Sequence, residues 1–156
     1  MSLAQDVRRL AAVAPFSALP REAVQIIAFS SERIELKAGH HLFLGSARSD
    51  AGYFVLSGSL DLRSGKKTKR VEADSLIGET ALIAEVQRRY EASAVEDCEL
   101  LRIPRLVFRR VLQEFPAAKK DIRESLRRRA GTLIAPLEAA GNGYFAARSS
   151  ARRKRE

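Results

Sequence analysis

Between residues 33 and 103 the chain consists of short runs in which apolar and polar residues alternate, separated by turn-forming residues. This period of two puts one side of each run in a core and the other in solvent, as in antiparallel β-strands. In "YFVLSGSLDL" two alternating runs flank Ser57-Gly58, which predicts a β-hairpin. Leu42 and Leu44 alternate around Phe43 in the same way. About seven or eight strands of this length favour a β-roll or jelly-roll barrel over a parallel sheet.

Both flanks of this region have helical periodicity instead. Near the N-terminus, apolar side chains recur every three or four positions, and Pro20 suits the first turn of a second helix. After Pro104 the helical period returns and stops before Pro116, and a further helix is predicted over roughly 117–130. The order of helices, strands and then helices predicts an α+β fold that is mainly β.

One domain is expected, because 156 residues give room for a single core. We expect it to occupy residues 1–130, as N-terminal helices (1–30), an antiparallel, jelly-roll-like β-roll of about eight strands (31–103) and hinge or lid helices (104–130). Residues 131–156 have no core pattern and are rich in arginine, which predicts a basic, flexible tail.

The composition is that of a soluble globular protein, with 46% hydrophobic and 30% charged residues. No apolar run approaches the length of about eighteen residues that a membrane span requires, and the N-terminus lacks the pattern of a secretory signal. With one cysteine, Cys98, and two histidines, His40 and His41, the chain has neither an internal disulfide nor a zinc-site pattern. We therefore expect a cytoplasmic protein without a metal or cofactor.

Catalytic motifs are not found either. Ser57 in "LSGS" lacks the strand–elbow–helix setting of a hydrolase nucleophile and a histidine partner. Cys98 follows an alternating pattern and is interpreted as a small buried residue. The two histidines are interpreted as structural or solvated. The chain is therefore not expected to be an enzyme.

The positive charge is concentrated at the C-terminal end. Residues 1–116 have 17 basic and 15 acidic side chains, whereas residues 117–156 have 11 basic and 4 acidic ones. Such an asymmetry indicates either an acidic partner or a solubilising tail. Nucleic acid is not the expected partner, because no helix-turn-helix pattern follows the last predicted helix.

The stretch "LIGETALIAEVQRRYEASA", residues 76–94, has the chemistry of an anion site. Gly78 lets a ligand approach the backbone closely, because no Cβ intervenes. The amides around Glu79, Thr80 and Ala81 would be unpaired donors at a helix N-terminus, where a phosphate binds well. Arg88 can add a bidentate contact to the same anion. The alternative is structural: Gly-Glu is also an ordinary helix start, and an arginine pair before a strand is commonly solvated.

The whole pattern resembles the cyclic-nucleotide-binding domain, which is shared by catabolite-activator-type regulators, regulatory subunits of cyclic-AMP-dependent kinase and gated channels. The resemblance covers residues 14–128 and includes "PFSALP", "LKAGHHLFLGS", "GYFVLSGSLDL" and "EDCELLRIPRLVFRRVLQEFP". Its most specific part is the phosphate-binding cassette, with a consensus close to Phe-Gly-Glu-Leu-Ala-Leu, a short loop and Pro-Arg-Ala. Here the cassette is "IGETALI" over residues 77–83, followed by "QRR" over residues 87–89.

The resemblance implies cyclic AMP or cyclic GMP as the ligand, and a role for each matching residue. Glu79 would accept a hydrogen bond from the ribose 2′-hydroxyl, Arg88 would bind the cyclic phosphate, and Gly78 and Ala81 would form the pocket floor. The chain would be a stand-alone sensor that signals to an unknown protein effector by shifting its C-terminal helices. Which purine base it prefers is left open.

One departure from the family pattern weakens the prediction of binding. The position after the phosphate-binding arginine is normally a small residue, and here it is Arg89. Neighbouring residues of a strand point to opposite faces, so Arg88 and Arg89 are not both expected inside. With one more residue counted in the loop, Arg89 would hold the phosphate and Tyr90 would be its neighbour. The alternative function is a degenerate β-roll that serves as a protein-interaction module without nucleotide binding.

The last predicted helix has two further interpretations. Ile122, Leu126 and Leu133 form an apolar line on an otherwise basic segment. In a monomer this line would pack on the β-roll, as a lid over the nucleotide base. In a homodimer it would form a seam between the two copies, although Arg123 and its basic neighbours would repel each other there.

Overall fold

The structure, a computed structural model, describes residues 2–45 and 47–129. Four α-helices, α1 to α4, span Leu3–Ala11, Arg21–Ser30, Arg105–Glu114 and Lys119–Arg129. Eight strands, β1 to β8, span Glu32–Leu36, His41–Phe43, Ala51–Ser57, Leu60–Ser64, Lys67–Val71, Leu76–Ile77, Glu91–Ala94 and Cys98–Pro104. Short 3₁₀ helices span Phe16–Ala18, Glu79–Leu82 and Pro116–Ala118. The predicted order of helices, about eight strands and helices is confirmed.

The strands form two four-stranded antiparallel sheets, in the orders β1-β8-β3-β6 and β2-β7-β4-β5. Alternate residues of the strands face a shared core, which includes Val55, Leu62 and Leu100. The central strand β3 is buried along almost its whole length because a second apolar cluster covers its other face. The predicted antiparallel β-roll with flanking helices is therefore confirmed, although the described residues contain more helix than strand.

The predicted hairpin at Ser57-Gly58 is wrong, although both of its runs are strands. Among the described strands, β3 pairs with β8 and β6, whereas β4 pairs with β5 and β7. The connection through Gly58 crosses from one sheet to the other instead. Gly58 has a φ of +89°, and a Cβ there would clash with Asp97 and Cys98. The actual hairpin is β4–β5, which turns at Gly65 with φ +61°.

The helices pack on the first sheet through the second apolar cluster. Phe16 and Phe108 meet edge to face there, with ring centroids 6.1 Å apart. Ile122 and Leu126 of α4 belong to this cluster and are 0% and 1% exposed. The two side chains are thus covered within one chain, and association of two copies through this helix stays a prediction. Leu133 and the predicted tail, residues 131–156, lie outside the described residues.

Two features of the described residues bear on ligand and membrane chemistry. Across residues 2–45 and 47–129, no His, Cys, Asp and Glu side chains gather in the groups of three or more that could hold a metal ion. In the same part of the chain, none of the helices has the length and apolar character needed to cross a bilayer. Cys98 is buried, as its alternating pattern predicted.

Candidate functional site

The turn at Gly78 connects strand β6 to the 3₁₀ helix Glu79–Leu82. Gly78 has φ 68° and ψ 29°, a left-handed conformation that glycine adopts at little cost. Its N–H donates to the Tyr90 hydroxyl at 3.1 Å. The helix start predicted at this position is therefore present, as a single 3₁₀ turn. The expectation of unpaired amides is wrong for Ala81, whose N–H donates to Gly78 O at 3.1 Å.

Three predicted site residues follow in that turn. Glu79 and Ala81 are both 0% exposed, and Thr80 is partly exposed. The turn packs against β3, where a Cβ on Gly52 would meet Leu82 Cγ at 3.2 Å. The close contact between the Gly52 backbone and the Leu82 side chain therefore holds the 3₁₀ turn against β3, and Glu79 is buried inside the roll.

Arg88 lies inside the roll, and Arg89 is on the surface. The side chain of Arg88 is 7% exposed, whereas Arg89 belongs to the exposed class. The Arg88 backbone N–H donates to Ala47 O at 2.7 Å, and its Nη2 donates to Ala51 O at 2.8 Å. Its guanidinium lies against Gly78, with Cζ 3.3 Å from the ideal Cβ position of that glycine. The structure thus brings Gly78, Glu79, Ala81 and Arg88 together and leaves Arg89 outside; which arginine holds a phosphate stays a prediction.

The charge of Arg88 is only weakly balanced by its surroundings. No carboxylate lies within ion-pair distance of Arg88 among residues 2–45 and 47–129, and its buried Nε has no hydrogen-bond partner there. Burial lowers the pKa of Arg88, and Tyr90, Tyr53, Asp50 and Glu79 oppose that shift. A buried cation in this setting favours an anion that can enter and pair with it.

Two aromatic rings, those of Phe43 and Tyr53, lie beside the Arg88 guanidinium. Its Cζ lies 4.2 Å from the ring centroid of Phe43 and 5.8 Å from that of Tyr53. Phe43 is also 5.5 Å from the Tyr90 ring. The alternation of Leu42 and Leu44 around Phe43 did not predict this: Leu42 and Phe43 both pack on the same apolar cluster, beside a register shift between His41 and Phe43. Leu44, beyond the end of β2, is 56% exposed.

Arg105, the first residue of α3, is a further member of the site that the sequence reasoning missed. Its Nη1 donates to the carbonyl oxygens of Ser49 at 3.0 Å and of Ala81 and Ala84 at 3.1 Å each. Arg105 therefore connects the first C-terminal helix directly to the end of the 3₁₀ turn. A signal was present: a cation at a helix N-terminus opposes the helix dipole and needs another reason to be there.

Comparisons with known proteins agree with this arrangement. A cyclic nucleotide-binding-like protein from Brucella abortus is 33% identical, covers 70% of this chain and 98% of its own, and superposes with a TM-score of 0.64. The sensor domain of the transcriptional regulator DNR from Pseudomonas aeruginosa has the same fold, with a TM-score of 0.71 and 19% identity over 87% of this chain and 95% of its own.

Lysophospholipase NTE1 of Phaeosphaeria nodorum is 31% identical over 123 residues, which are 74% of this chain but only 8% of that protein. The chain therefore spans a small fraction of this curated relative. The family model for the cyclic nucleotide-binding domain matches residues 33–115. These residues contain all eight strands apart from the first residue of β1 and include the whole cassette. The chain thus belongs to the cyclic nucleotide-binding domain family.

Proposed function

We propose that this chain is a regulatory sensor that binds cyclic AMP or cyclic GMP through the turn at Gly78 and the guanidinium of Arg88. The observation that carries the proposal is the position of Arg88: a cation that is 7% exposed, has no ion-pair partner among the described residues and lies against a glycine turn. An arginine of this kind supports binding of a phosphate, because the charged hydrogen bonds form where water is largely excluded.

The other cassette residues have matching roles in the proposal. Glu79 is fully buried beside the same turn and would accept a hydrogen bond from the ribose 2′-hydroxyl. Gly78 and Ala81, both buried, would form the pocket floor. Arg89 is exposed and would not crowd the phosphate, so the departure from the usual small residue is compatible with binding.

Binding would reach the C-terminal helices through Arg105. Because its Nη1 donates to Ala81, in the 3₁₀ helix, and to Ala84, just after it, a ligand that shifts these two residues also shifts the start of α3. The proposed output is therefore a movement of α3 and α4 that an effector protein, or a second copy of the chain, detects. We infer a cytoplasmic location, in keeping with the single free cysteine.

We do not extend the lysophospholipase reaction to this chain. The match covers 8% of that relative, so it supports a domain that accompanies an enzyme rather than the enzyme itself. The proposed role is regulatory and needs no cofactor other than the nucleotide ligand.

Calorimetric titration of cyclic AMP and cyclic GMP into the purified chain tests the proposal. Titration of 5′-AMP, whose phosphate is not cyclic, shows whether the site requires the cyclic phosphate. Arg88→Ala should weaken binding at least tenfold, since a hydrogen bond to a charged group is worth about 1.5–3 kcal/mol. Arg89→Ala is the matched control and should change the affinity less than about twofold, because an exposed charge contributes little even when it is paired. Thermal unfolding of each variant confirms that it is folded.

Two outcomes would contradict the proposal in different ways. Loss of binding in Arg89→Ala with normal binding in Arg88→Ala would reverse the assignment of the two arginines. If neither cyclic nucleotide binds the wild-type chain at millimolar concentration, the chain is the alternative, a β-roll that acts as a protein-interaction module.

A further inference from the structure

A buried guanidinium without a carboxylate partner needs another source of stabilisation. The side chain of Arg88 donates Nη2–H to Ala51 O, and its Nε has no hydrogen-bond partner among residues 2–45 and 47–129. One hydrogen bond does not replace the hydration that a guanidinium loses on burial. What holds Arg88 against Gly78 must therefore include its apolar neighbours.

The neighbour best placed to do so is Phe43. The Arg88 Cζ is 4.2 Å from the Phe43 ring centroid, well inside the range of about 6 Å for a cation–π contact. Tyr53, at 5.8 Å, is at the outer limit of that range. The Phe43 ring is itself braced by Tyr53 and Tyr90, with centroids 6.1 and 5.5 Å away. The ring is thus fixed in place before any ligand arrives.

An aromatic partner has a consequence that a carboxylate partner would not have. A carboxylate would compete with a phosphate for the same N–H groups, and the ligand would have to displace it. An aromatic face attracts the cation through its π electrons and accepts none of the hydrogen bonds that the phosphate needs. The guanidinium is thereby held in position while its buried Nε–H stays without a hydrogen-bond partner among the described residues.

We propose that Phe43 is a positioning residue for the anion site: its ring holds the Arg88 guanidinium against Gly78 by a cation–π contact and leaves the Nε–H edge for the ligand. The part concerning the ligand rests on the proposed function, whereas the part concerning the ligand-free chain does not. No sequence motif assigned Phe43 a role at the anion site; its ring is partly buried there, next to a register shift in β2.

The test is a ladder of nearly isosteric rings at position 43. Phenylalanine is replaced by its 4-fluoro, 3,5-difluoro and 3,4,5-trifluoro analogues, each of which withdraws more electron density from the ring face. The same ladder at Phe108, which is fully buried and meets Phe16 edge to face, is the matched control. Among the described residues no arginine or lysine lies over the Phe108 ring. A merely structural role for Phe43 would make the two ladders behave alike.

The first measurement is made on the ligand-free chain. The exchange of the Arg88 Nε–H with water is followed in ¹H–¹⁵N spectra, with Arg88→Lys used to assign the resonance. Exchange should accelerate with each fluorine at position 43, several-fold in Phe43→Leu, and stay constant along the Phe108 ladder. Equal exchange in all position-43 variants would overturn the inference, whether or not a nucleotide binds.

The second measurement is the affinity for cyclic AMP and cyclic GMP along the same ladder. It should fall stepwise with fluorination, and about five- to thirtyfold in Phe43→Leu, whereas Phe43→Tyr should keep most of it. Affinity that is flat along the ladder would overturn the positioning role in ligand binding. A wild-type chain that binds no nucleotide, but whose Arg88 exchange follows the ladder, would refute the proposed function and leave the ligand-free contact established.

Discussion

The guanidinium of Arg88 occupies the space that a side chain at Gly78 would need. Nη1 of Arg88 lies closer to the ideal Cβ position of Gly78 than van der Waals contact allows, and Cζ is 3.3 Å from it. Gly78 also has a φ of +68°, which residues with a side chain adopt only under strain. Glycine is thus required at this turn twice, once for the backbone and once to admit the arginine.

Gly78→Ala separates these two requirements when it is compared with Gly39→Ala. Gly39 has a similar φ, +86°, but nothing lies within 4 Å of its ideal Cβ position. Both variants should lose about 1–2 kcal/mol of unfolding free energy to left-handed strain, measured by urea denaturation. Only Gly78→Ala should also lose nucleotide affinity, by tenfold or more, because its methyl group pushes the end of Arg88 aside. Equal affinities in the two variants would show that the contact has no part in binding.

Glu79 is expected to recognise the ribose 2′-hydroxyl. The wild-type chain should bind cyclic AMP about tenfold more tightly than 2′-deoxy cyclic AMP, because a hydrogen bond to a carboxylate is worth about 1.5–3 kcal/mol. Glu79→Gln should reduce that ratio, whereas Glu85→Gln, an exposed acid in the same loop, should keep it. Titration of the two nucleotides into the three proteins completes a thermodynamic cycle. A ratio that is unchanged in Glu79→Gln would place the hydroxyl elsewhere.

The sequence predicted those features that depend on neighbouring residues, and alternation predicted the strands. Arg88 and Arg89 are not both inside, as expected, but the strand expected to separate them begins only at Glu91, so the loop before β7 sets their directions. Pairing of strands depends on distant segments, and this is why the run through Ser57-Gly58 was wrongly predicted as a hairpin: β3 pairs with β8, which is more than forty residues away.

The residues that surround the cassette could not be predicted from the sequence, because they also come from distant segments of the chain. Arg105 meets carbonyl groups 56, 24 and 21 residues earlier in the chain, and no local pattern encodes such a set of contacts. The ring of Phe43 contacts Arg88 beside a register shift in β2, and such a shift is not visible in a strand of three residues. Motif spacing indicated where the anion site lies but not what supports it.

Arg105→Ala should loosen the cassette. The side chain donates to three carbonyl groups at 3.0–3.1 Å, so its loss should cost about 1–3 kcal/mol and leave the oxygens of Ala81 and Ala84 with fewer partners. Hydrogen exchange measured by mass spectrometry should rise selectively over residues 79–84. Arg109→Ala removes an exposed arginine from the same helix and should leave that exchange unchanged. If the two variants gave the same exchange, the link between α3 and the turn would be absent in solution.

Cys98 predicts a dependence of stability on pH. Burial raises the pKa of its thiol, so the folded chain disfavours the thiolate. The resulting contribution to stability is complete below the unfolded pKa of about 8.5 and is lost as the pH rises above it towards the folded pKa. The unfolding free energy of the wild type, measured relative to that of Cys98→Ala, should therefore decrease between about pH 7 and pH 10. Urea denaturation of both proteins at several pH values measures it, and a constant difference would contradict the expected sign.

Leu126 tests whether the last helix stabilises one chain or joins two. Leu126 is 1% exposed and packs in the cluster that contains Leu10 and Phe16, so Leu126→Ala should cost about 2–5 kcal/mol of unfolding free energy. Leu106→Ala, on α3, removes a side chain that is 66% exposed and should change stability by less than about 0.5 kcal/mol. The loss in Leu126→Ala should be independent of protein concentration, because the contacts lie within one chain. Sedimentation equilibrium with and without cyclic nucleotide completes the experiment: a dimer that dissociates in Leu126→Ala while the monomer stays as stable as wild type would show that this helix joins two copies instead.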